Sequence, residues 1–549
     1  MEKTFIIGNS EELQRIGGHF EKVPSLINDT DIHNWIIELF KGAEFDKIII
    51  EIGQEPKSAL QIAYHIRLSI DELKERALIP ILFVSTLSLN NIIIQSGIYG
   101  HILSTEGVFF SEFNNELIEA QIQNVFGLKG DEYLTKFLKI INIQPDESIG
   151  RHSLANIWGA HALDRAANVK ALNQEANFKK GLYFKYISAF NILEKLNPSP
   201  FNIKGFVNLN KPNKIAAHSK KILLIDDQAN DGWAIVLRKI FQTSHPNDFV
   251  VIDQIVNDFD SFTDENKQIV NGNQFDLYLV DLRLNGLEED EGLNVNAFSG
   301  MSVIKKIKTL NKGNQVIVFT ASNKAWNLKA LIDSGVDGYY LKESPEYYFP
   351  KTISDQNYQE FKNNVINCFN KGFLKDIFNF WKAAKDECSN SDSGFISESD
   401  VSLDSAWEQI KNGYLDYGYL ILFQVVEFYS NLLFMNLGTS GNWGILGETV
   451  IENLGDGIAE WKLKYNKDKR NGSYFTSCNE TQQSDSMPTT LFKISCLAKF
   501  KYHKEDSFLK FLGRLNNLRN GIAHRGGRNS VKIQDIKDLL DFLKILRSK

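Results

Sequence analysis

Cysteine is scarce: the 549 residues hold four, at 368, 388, 478 and 496, with no CxxC pair and no histidine at ligand spacing. This excludes a disulfide framework and argues against a zinc site, so a reducing cytoplasm is the expected setting. Long apolar runs are also missing. The most apolar stretch, YLILFQVVEFYSNLLF, is broken by Gln424 and Glu427, and MEKTFIIGNS lacks the basic start with a long apolar run that marks an export signal. Neither membrane insertion nor secretion is expected. Nor is there an excess of positive charge: the net charge is -7, so nucleic acid could be met only through a local patch. What remains is ordinary globular composition, 43% hydrophobic, 23% charged and 12% aromatic. A chain of this length has room for about three or four domains.

The chain repeats itself. FDLYLVDL at 275–282 is echoed by FDKIIIEI at 45–52, QVIVFTAS at 315–322 by PILFVSTL at 80–87, and SGVDGYYLKES at 334–344 by SGIYGHILSTE at 96–106. Continuous apolar runs alternating with helical stretches such as SGMSVIKKIKTL predict two doubly wound α/β units, each with a parallel sheet buried on both faces. Functional groups of such sheets collect at the carboxyl ends of the strands. In the second copy those ends carry Asp226, Asp227, Asp281, Thr320 and Lys342. Three carboxylates at close range call for a hard cation with oxygen ligands, while a hydroxyl and an ammonium can clamp phosphoryl oxygens. The expected chemistry is phosphoryl transfer onto a carboxylate.

Over residues 218–345 the ordered set DD, D, T, K resembles the receiver domain of two-component response regulators. The resemblance implies Asp281 as phosphoacceptor, Asp226 and Asp227 with Asp281 as a Mg2+ site, Thr320 and Lys342 as phosphoryl sensors, and Tyr339 as the switch aromatic. It implies a histidine kinase or another phosphodonor as partner. Two features depart from the family pattern: Glu343 follows the lysine where receivers carry proline, and the acidic stretch LEEDEGLN lies just beyond the acceptor. The first copy resembles a pseudo-receiver, with Glu51 for the acceptor, Ser85 for the threonine, Ser104 for the lysine and no acid pair. Decay with a retained docking surface is preferred there over mimicry of a phosphorylated acceptor by Glu51.

Residues 126–215 read as a helical connector. In it GRHSLANIWGAHAL sets His152 and Asn156 four apart on one helical face, vaguely like the phosphotransfer helices of histidine kinases. Nothing else of a kinase is present, and an ordinary interhelical histidine is the reading adopted. CSNSDSGFISESD has linker composition, and NGSYFTSCNETQQSDSMPTT reads as a polar loop inserted into a helical domain. The last motif is NNLRNGIAHRGG: Asn520 and His524 share a helical face, Arg519 flanks it at about 140°, and Gly526 with Gly527 stops the helix. This resembles the RNxxxH signature of HEPN domains, all-helical domains that include metal-independent ribonucleases. The resemblance implies Arg519, Asn520 and His524 as catalytic residues needing no cofactor, RNA as substrate, and a homodimer. From 493 to 532, ten lysines and arginines stand against Glu505 and Asp506. RNA phosphates would be drawn there.

The expected class is multidomain α/β plus all-α. It comprises a pseudo-receiver (1–125), a helical connector (126–215), a receiver (216–350), a helical connector and linker (351–394) and a HEPN-like helical effector (395–549). The expected function is a phosphorylation-regulated response regulator that cleaves RNA, for which stress or phage defence is a role suggested by family analogy. A non-enzymatic scaffold, with the last domain dimerising or binding partners, is the alternative; a transcription regulator ranks last, for want of a helix-turn-helix signal.

Overall fold

Thr4–Gly8 (β1), His19–Lys22 (β2), Lys47–Ile52 (β3), Ile81–Ser85 (β4) and Val108–Glu112 (β5) pair in parallel in the order β2-β1-β3-β4-β5. The apolar run of β3 is continuous because both faces of the sheet are covered. Ile48, Ile50 and Ile52 join a core with Asp29–Lys41 (α1) and Pro56–Leu68 (α2), while Ile49 joins the opposite one with Ile6, Leu82 and Val84. Leu89–Ser96 (α3) and Asn115–Ile122 (α4) complete the first α/β layer. The computed structural model describes residues 3–25, 28–41, 44–144, 151–172, 180–194, 212–285, 298–320, 335–343, 351–386, 393–434, 443–445, 448–456, 458–466, 474–483, 488–525 and 531–548. It divides into two compact units: Met1–Ser261, Leu279–Met301 and Ile317–Val365 form one, and Phe262–Tyr278, Ser302–Val316 and Ile366–Lys549 the other.

In the connector, Arg151–Ala167 (α5) and Leu182–Glu194 (α6) are helical, and Trp158 stacks on Phe184 with ring centroids 5.6 Å apart. A buried polar latch ties α6 to the first sheet's helices. Lys185 Nζ lies 2.9 Å from His65 Nδ1 and 2.7 Å from Ser69 Oγ, and His65 Nε2 lies 3.0 Å from Asp29 Oδ1. Burial pushes the His65 pKa down to about 4, so at neutral pH its ring accepts from the lysine and donates to the aspartate.

Ile222–Ile225 (β6), Phe249–Ile252 (β7), Leu277–Asp281 (β8), Val316–Thr320 (β9) and Gly338–Leu341 (β10) form a second sheet in the order β7-β6-β8-β9-β10. This is the strand order of the first sheet. The registers correspond as well: Ile48 N–H bonds the Pro80 carbonyl in one, Tyr278 N–H the Gln315 carbonyl in the other, both at 2.9 Å. Trp233–Ile240 (α7) and Ser299–Leu310 (α8) follow β6 and β8 in the chain.

In the other unit, Phe373–Asp386 (α9), Ser393–Lys411 (α10), Leu415–Leu433 (α11), Thr490–Cys496 (α12), Asp506–Arg525 (α13) and Ile533–Arg547 (α14) share one core. Helix α11 buries Tyr419, Leu422, Phe423, Val426 and Tyr429, a broad face at helical spacing, and leaves Gln424 outside. Three sequence expectations give way here, the first being that residues 395–549 are all-helical, since four strands lie among the helices. The linker reading fails for residues 393–400, which begin α10 and include Ser399, buried beside Tyr429. Within the expected polar loop, 471–490, Phe475–Gln483 (β14) is strand, and it closes an antiparallel sheet with Trp443–Ile445 (β11), Glu448–Gly455 (β12) and Ile458–Tyr465 (β13) that precede it. Strand β14 is at its edge with mostly exposed polar side chains, so no hydrophobic alternation announces it. Cross-strand pairing holds it instead, with Lys464 2.7 Å from Glu480.

Arg67 in α2 is fully buried and donates to the carbonyls of Ala77, Ile79 and Gly107, at 2.5, 2.7 and 3.0 Å. Replacing it with Met should leave three buried carbonyls unpaired and cost about 3 kcal/mol. Faster amide exchange in β4 and β5, read by mass spectrometry, is the expected sign.

Candidate functional site

Asp226 and Asp227 follow β6, Asp281 ends β8 and Lys342 follows β10, so strand geometry alone delivers all four to one edge. The three aspartates offer oxygens within 4.8 Å of one another. Lys342 Nζ donates to Asp281 Oδ2 at 2.6 Å and Asp226 Oδ2 at 3.0 Å. Backbone N–H groups hold the other oxygens of that pair: Gln228 donates to Asp226 Oδ1 at 2.9 Å and Arg283 to Asp281 Oδ1 at 3.3 Å. Asp227 Oδ2 accepts from Gln228 Nε2 at 3.3 Å, but its buried Oδ1 has no hydrogen-bond partner.

Burial, reinforced by Asp281 and Asp226, pushes the Asp227 pKa up to about 7. Burial also raises Asp226 to about 6, with Lys342 pulling down and Asp281 pushing up. Burial alone would lower the Lys342 pKa, yet the two carboxylates hold it above its ordinary value. An all-oxygen donor set with an orphaned buried carboxylate oxygen fits a hard divalent cation such as Mg2+.

The structure adds Asn156 and Trp233, which sequence reasoning missed as site residues. Asn156 Oδ1 on α5 accepts from Lys342 Nζ at 3.1 Å and from Trp233 Nε1 at 2.9 Å, and the ammonium sits 5.1 Å from the Trp233 ring centroid. A Cβ on Gly159 would lie 2.7 Å from the Glu343 carbonyl and 2.8 Å from Trp233, so glycine is what lets α5 approach this closely. Thr320 ends β9, and Tyr339 lies in β10 with 37% of its surface exposed. Its neighbour Tyr340 is the buried aromatic, packed on Phe319, Phe361 and Trp233. The side chains of Thr320 and His152, and all of LEEDEGLN, fall outside the described residues.

The first sheet offers a contrast at matching places. Counting from the shared register sets Glu51 where Asp281 stands and Ser85 where Thr320 stands. Ser104 is not the counterpart of Lys342. It ends a 3-10 helix, Gly97–Ser104, four residues before β5, because the echoed SGxxG runs straight into a strand in only one copy. Ser85 pairs with Glu112 as Thr320 pairs with Leu341, so the residue in the lysine's place is Phe113. Glu51 Oε2 turns back onto the end of β1, accepting from the N–H groups of Asn9 at 2.6 Å and Ser10 at 2.9 Å. A Cβ on Gly8 would lie 2.7 Å from that oxygen.

In α13, Arg519 donates to Glu427 Oε1 at 2.7 Å and to Asn520 Oδ1 at 3.0 Å, and His524 is exposed. Glu427 is a second partner missed in the sequence. The excess charge expected for 493–532 is partly cancelled from outside that window: Glu427 pairs with Arg519, while Asp535 and Asp538 pair with Arg514. Gly526 and Gly527 lie outside the described residues.

The first sheet, all parallel, with helices in its crossovers and β1 beside the central β3, is that of a receiver-like α/β domain. Residues 1–111 match the family model of the inactive receiver domain, in keeping with an edge where Glu51, Ser85 and Phe113 stand at the places of Asp281, Thr320 and Lys342. Among solved structures, a CheY-like response regulator receiver domain protein from Methanospirillum hungatei JF-1 is similar at 18% identity, over 26% of this chain and 98% of its own, with a TM-score of 0.16. A putative D-isomer specific 2-hydroxyacid dehydrogenase from Polaromonas sp. JS6 66 is similar at 8% identity, over 69% and 94%, with a TM-score of 0.15. The constitutive lysine decarboxylase of E. coli is similar at 11% identity, over 72% and 63%, with a TM-score of 0.15. No curated protein matches the chain. Among the described residues no helix is long and apolar enough to cross a membrane.

The acid cluster sets a pH dependence. A carboxyl whose pKa rises from 3.8 unfolded to about 7 folded binds its proton more tightly in the native state. Its contribution is present below about pH 4 and is lost as pH rises through about 7. In a chelator, the thermal midpoint should therefore fall between pH 5 and 8. Mg2+ should restore it increasingly as pH rises, and Asp227→Asn should flatten both trends.

Proposed function

We propose that the second sheet is a working phosphoryl acceptor in a signalling protein of response-regulator kind, and that the N-terminal receiver-like domain is its unreactive docking partner. The observation that carries this reading is Lys342 bridging Asp281 and Asp226, beside an Asp227 oxygen that has no partner. An Asp281 carboxylate oxygen attacks the phosphorus of a phosphohistidine or a small phosphodonor. The P–N or P–O bond to the leaving group breaks, that group keeps the electron pair and takes a proton from solvent, and an aspartyl phosphate results. Asp226, Asp227 and Asp281 would hold Mg2+, which supplies positive charge against the phosphoryl oxygens. Lys342 and Thr320 receive the remaining oxygens, and Tyr339 in β10 reports the change. A histidine kinase fits as donor.

With Mg2+ and acetyl phosphate, one labile phosphoryl group should be incorporated per chain. Asp281→Asn should abolish it, since an amide is no nucleophile here, and Glu51→Gln should leave it intact. Undiminished labelling of the Asp281 variant rejects the assignment.

A second reading concerns the helical unit, proposed as a HEPN-like effector that cleaves RNA without metal. In its favour, Arg519 is oriented by Glu427 and Asn520 on a helix that also carries the exposed His524. Imidazole would shuttle the 2′-hydroxyl proton and guanidinium would stabilise the phosphate, in a cleft shared by two copies. His524→Ala should abolish cleavage of total RNA in EDTA, by more than about 100-fold. Absence of cleavage by the wild type leaves a scaffold that dimerises or binds partners.

A further inference from the structure

A lysine ammonium has three N–H donors. Lys342 has an acceptor for each: Asp281 Oδ2 at 2.6 Å, Asp226 Oδ2 at 3.0 Å and Asn156 Oδ1 at 3.1 Å. The first two belong to the acceptor sheet and carry negative charge. The third is a neutral amide that arrives from α5, across 186 residues of sequence. A phosphoryl oxygen on Asp281 can reach this ammonium only by displacing one of the three. Once Asp281 is an acyl phosphate its own carboxyl oxygen is uncharged as well, and of the two uncharged acceptors the amide makes the longer contact, 3.1 Å against 2.6 Å, so the amide is the one to give way.

Around this contact α5 is seated for close approach. Gly159 brings its backbone against the Glu343 carbonyl and Trp233, and Trp233 Nε1 holds the same Asn156 oxygen. Site and contact are buried together, with Asp281, Lys342 and Asn156 each 5% exposed. From α5, Trp158 stacks on Phe184 of α6, and α6 is latched to the pseudo-receiver through Lys185. Asn156 thus belongs to a contiguous set of contacts running from the unreactive domain to the reactive one.

We propose that Asn156 is a positioning residue of the acceptor site, and that seating of α5 and phosphoryl transfer to Asp281 oppose one another. While α5 is seated, Asn156 holds Lys342 in place of a phosphoryl oxygen. When Asp281 is phosphorylated, that oxygen takes the third N–H, and Asn156 and Trp233 release. Reciprocity follows from linkage: whatever seats α5 more firmly, including a partner bound to the pseudo-receiver, restrains phosphorylation by the same free energy.

This inference rests on the reading of Asp281 as acceptor, and the experiment separates the two. The full-length chain, its Asn156→Ala and Asn156→Asp variants and an Asp281→Asn control are incubated with Mg2+ and acetyl phosphate. The rate of labelling is followed over a range of donor concentrations, and amide exchange is followed across residues 155–167. Asn156→Ala should label about five-fold faster than wild type, as loss of one neutral hydrogen bond implies, and Asn156→Asp more slowly. Phosphorylation of wild type should speed exchange in α5, and no such increment should be left in Asn156→Ala, where the helix is already released. A merely structural asparagine would change stability without ordering the three rates this way. Equal rates in wild type and both variants, with α5 exchange indifferent to phosphorylation, overturn the inference and leave the acceptor reading standing. Absence of label in wild type and Asn156→Ala alike overturns both.

Discussion

One lysine, shared among three oxygens, organises the acid edge of the second sheet. With Lys342 between Asp226 and Asp281, two buried carboxylates can stay close without a net repulsion too costly to fold. The same ammonium fixes where β6, β8 and β10 must end, since each strand delivers one of its partners or the lysine itself. Asp227 stands outside this balance, with its pKa raised and one oxygen orphaned. That imbalance is what a bound cation would relieve, and it makes the site's stability depend on pH.

The two parallel sheets use one strand order and one register for opposite ends. In the first, Glu51 is one methylene longer and spends its charge on the N–H groups of Asn9 and Ser10, a backbone solution that needs no cation and no lysine. Phe113 in the lysine's place agrees, because no unpaired carboxylate there asks for an ammonium. The frame survives while the chemistry is closed. Its helices then serve as ground for the buried Lys185–His65–Asp29 latch, which fastens the connector whose Asn156 reaches Lys342.

Much of this was legible from residues alone. Apolar runs repeated with acids at fixed places predicted both sheets, and Asp226, Asp227, Asp281 and Lys342 meet as strand-end logic required. The failures have physical causes. Ser104 was matched to Lys342 through a shared SGxxG that leads into a 3-10 helix in one copy and a strand in the other. Strand β14 is a solvated edge whose polar side chains mimic loop composition. Asn156 and Glu427 lie 186 and 92 positions from the cations they bind, and a lone polar residue on a helix says nothing about such partners. The basic excess near 519 was a one-dimensional count, and acids from neighbouring helices enter only when the chain is folded.

The identity of the acceptor is open to direct chemical reading. An aspartyl phosphate is an acyl phosphate, so borohydride reduces it to homoserine at the residue that carried it. After treatment with Mg2+ and a small phosphodonor, peptide sequencing by mass spectrometry should find homoserine in place of Asp281 and an unchanged Glu51. Homoserine at another aspartate, or none in a chain shown by amide exchange to be folded, would contradict the assignment of the second sheet as the working switch.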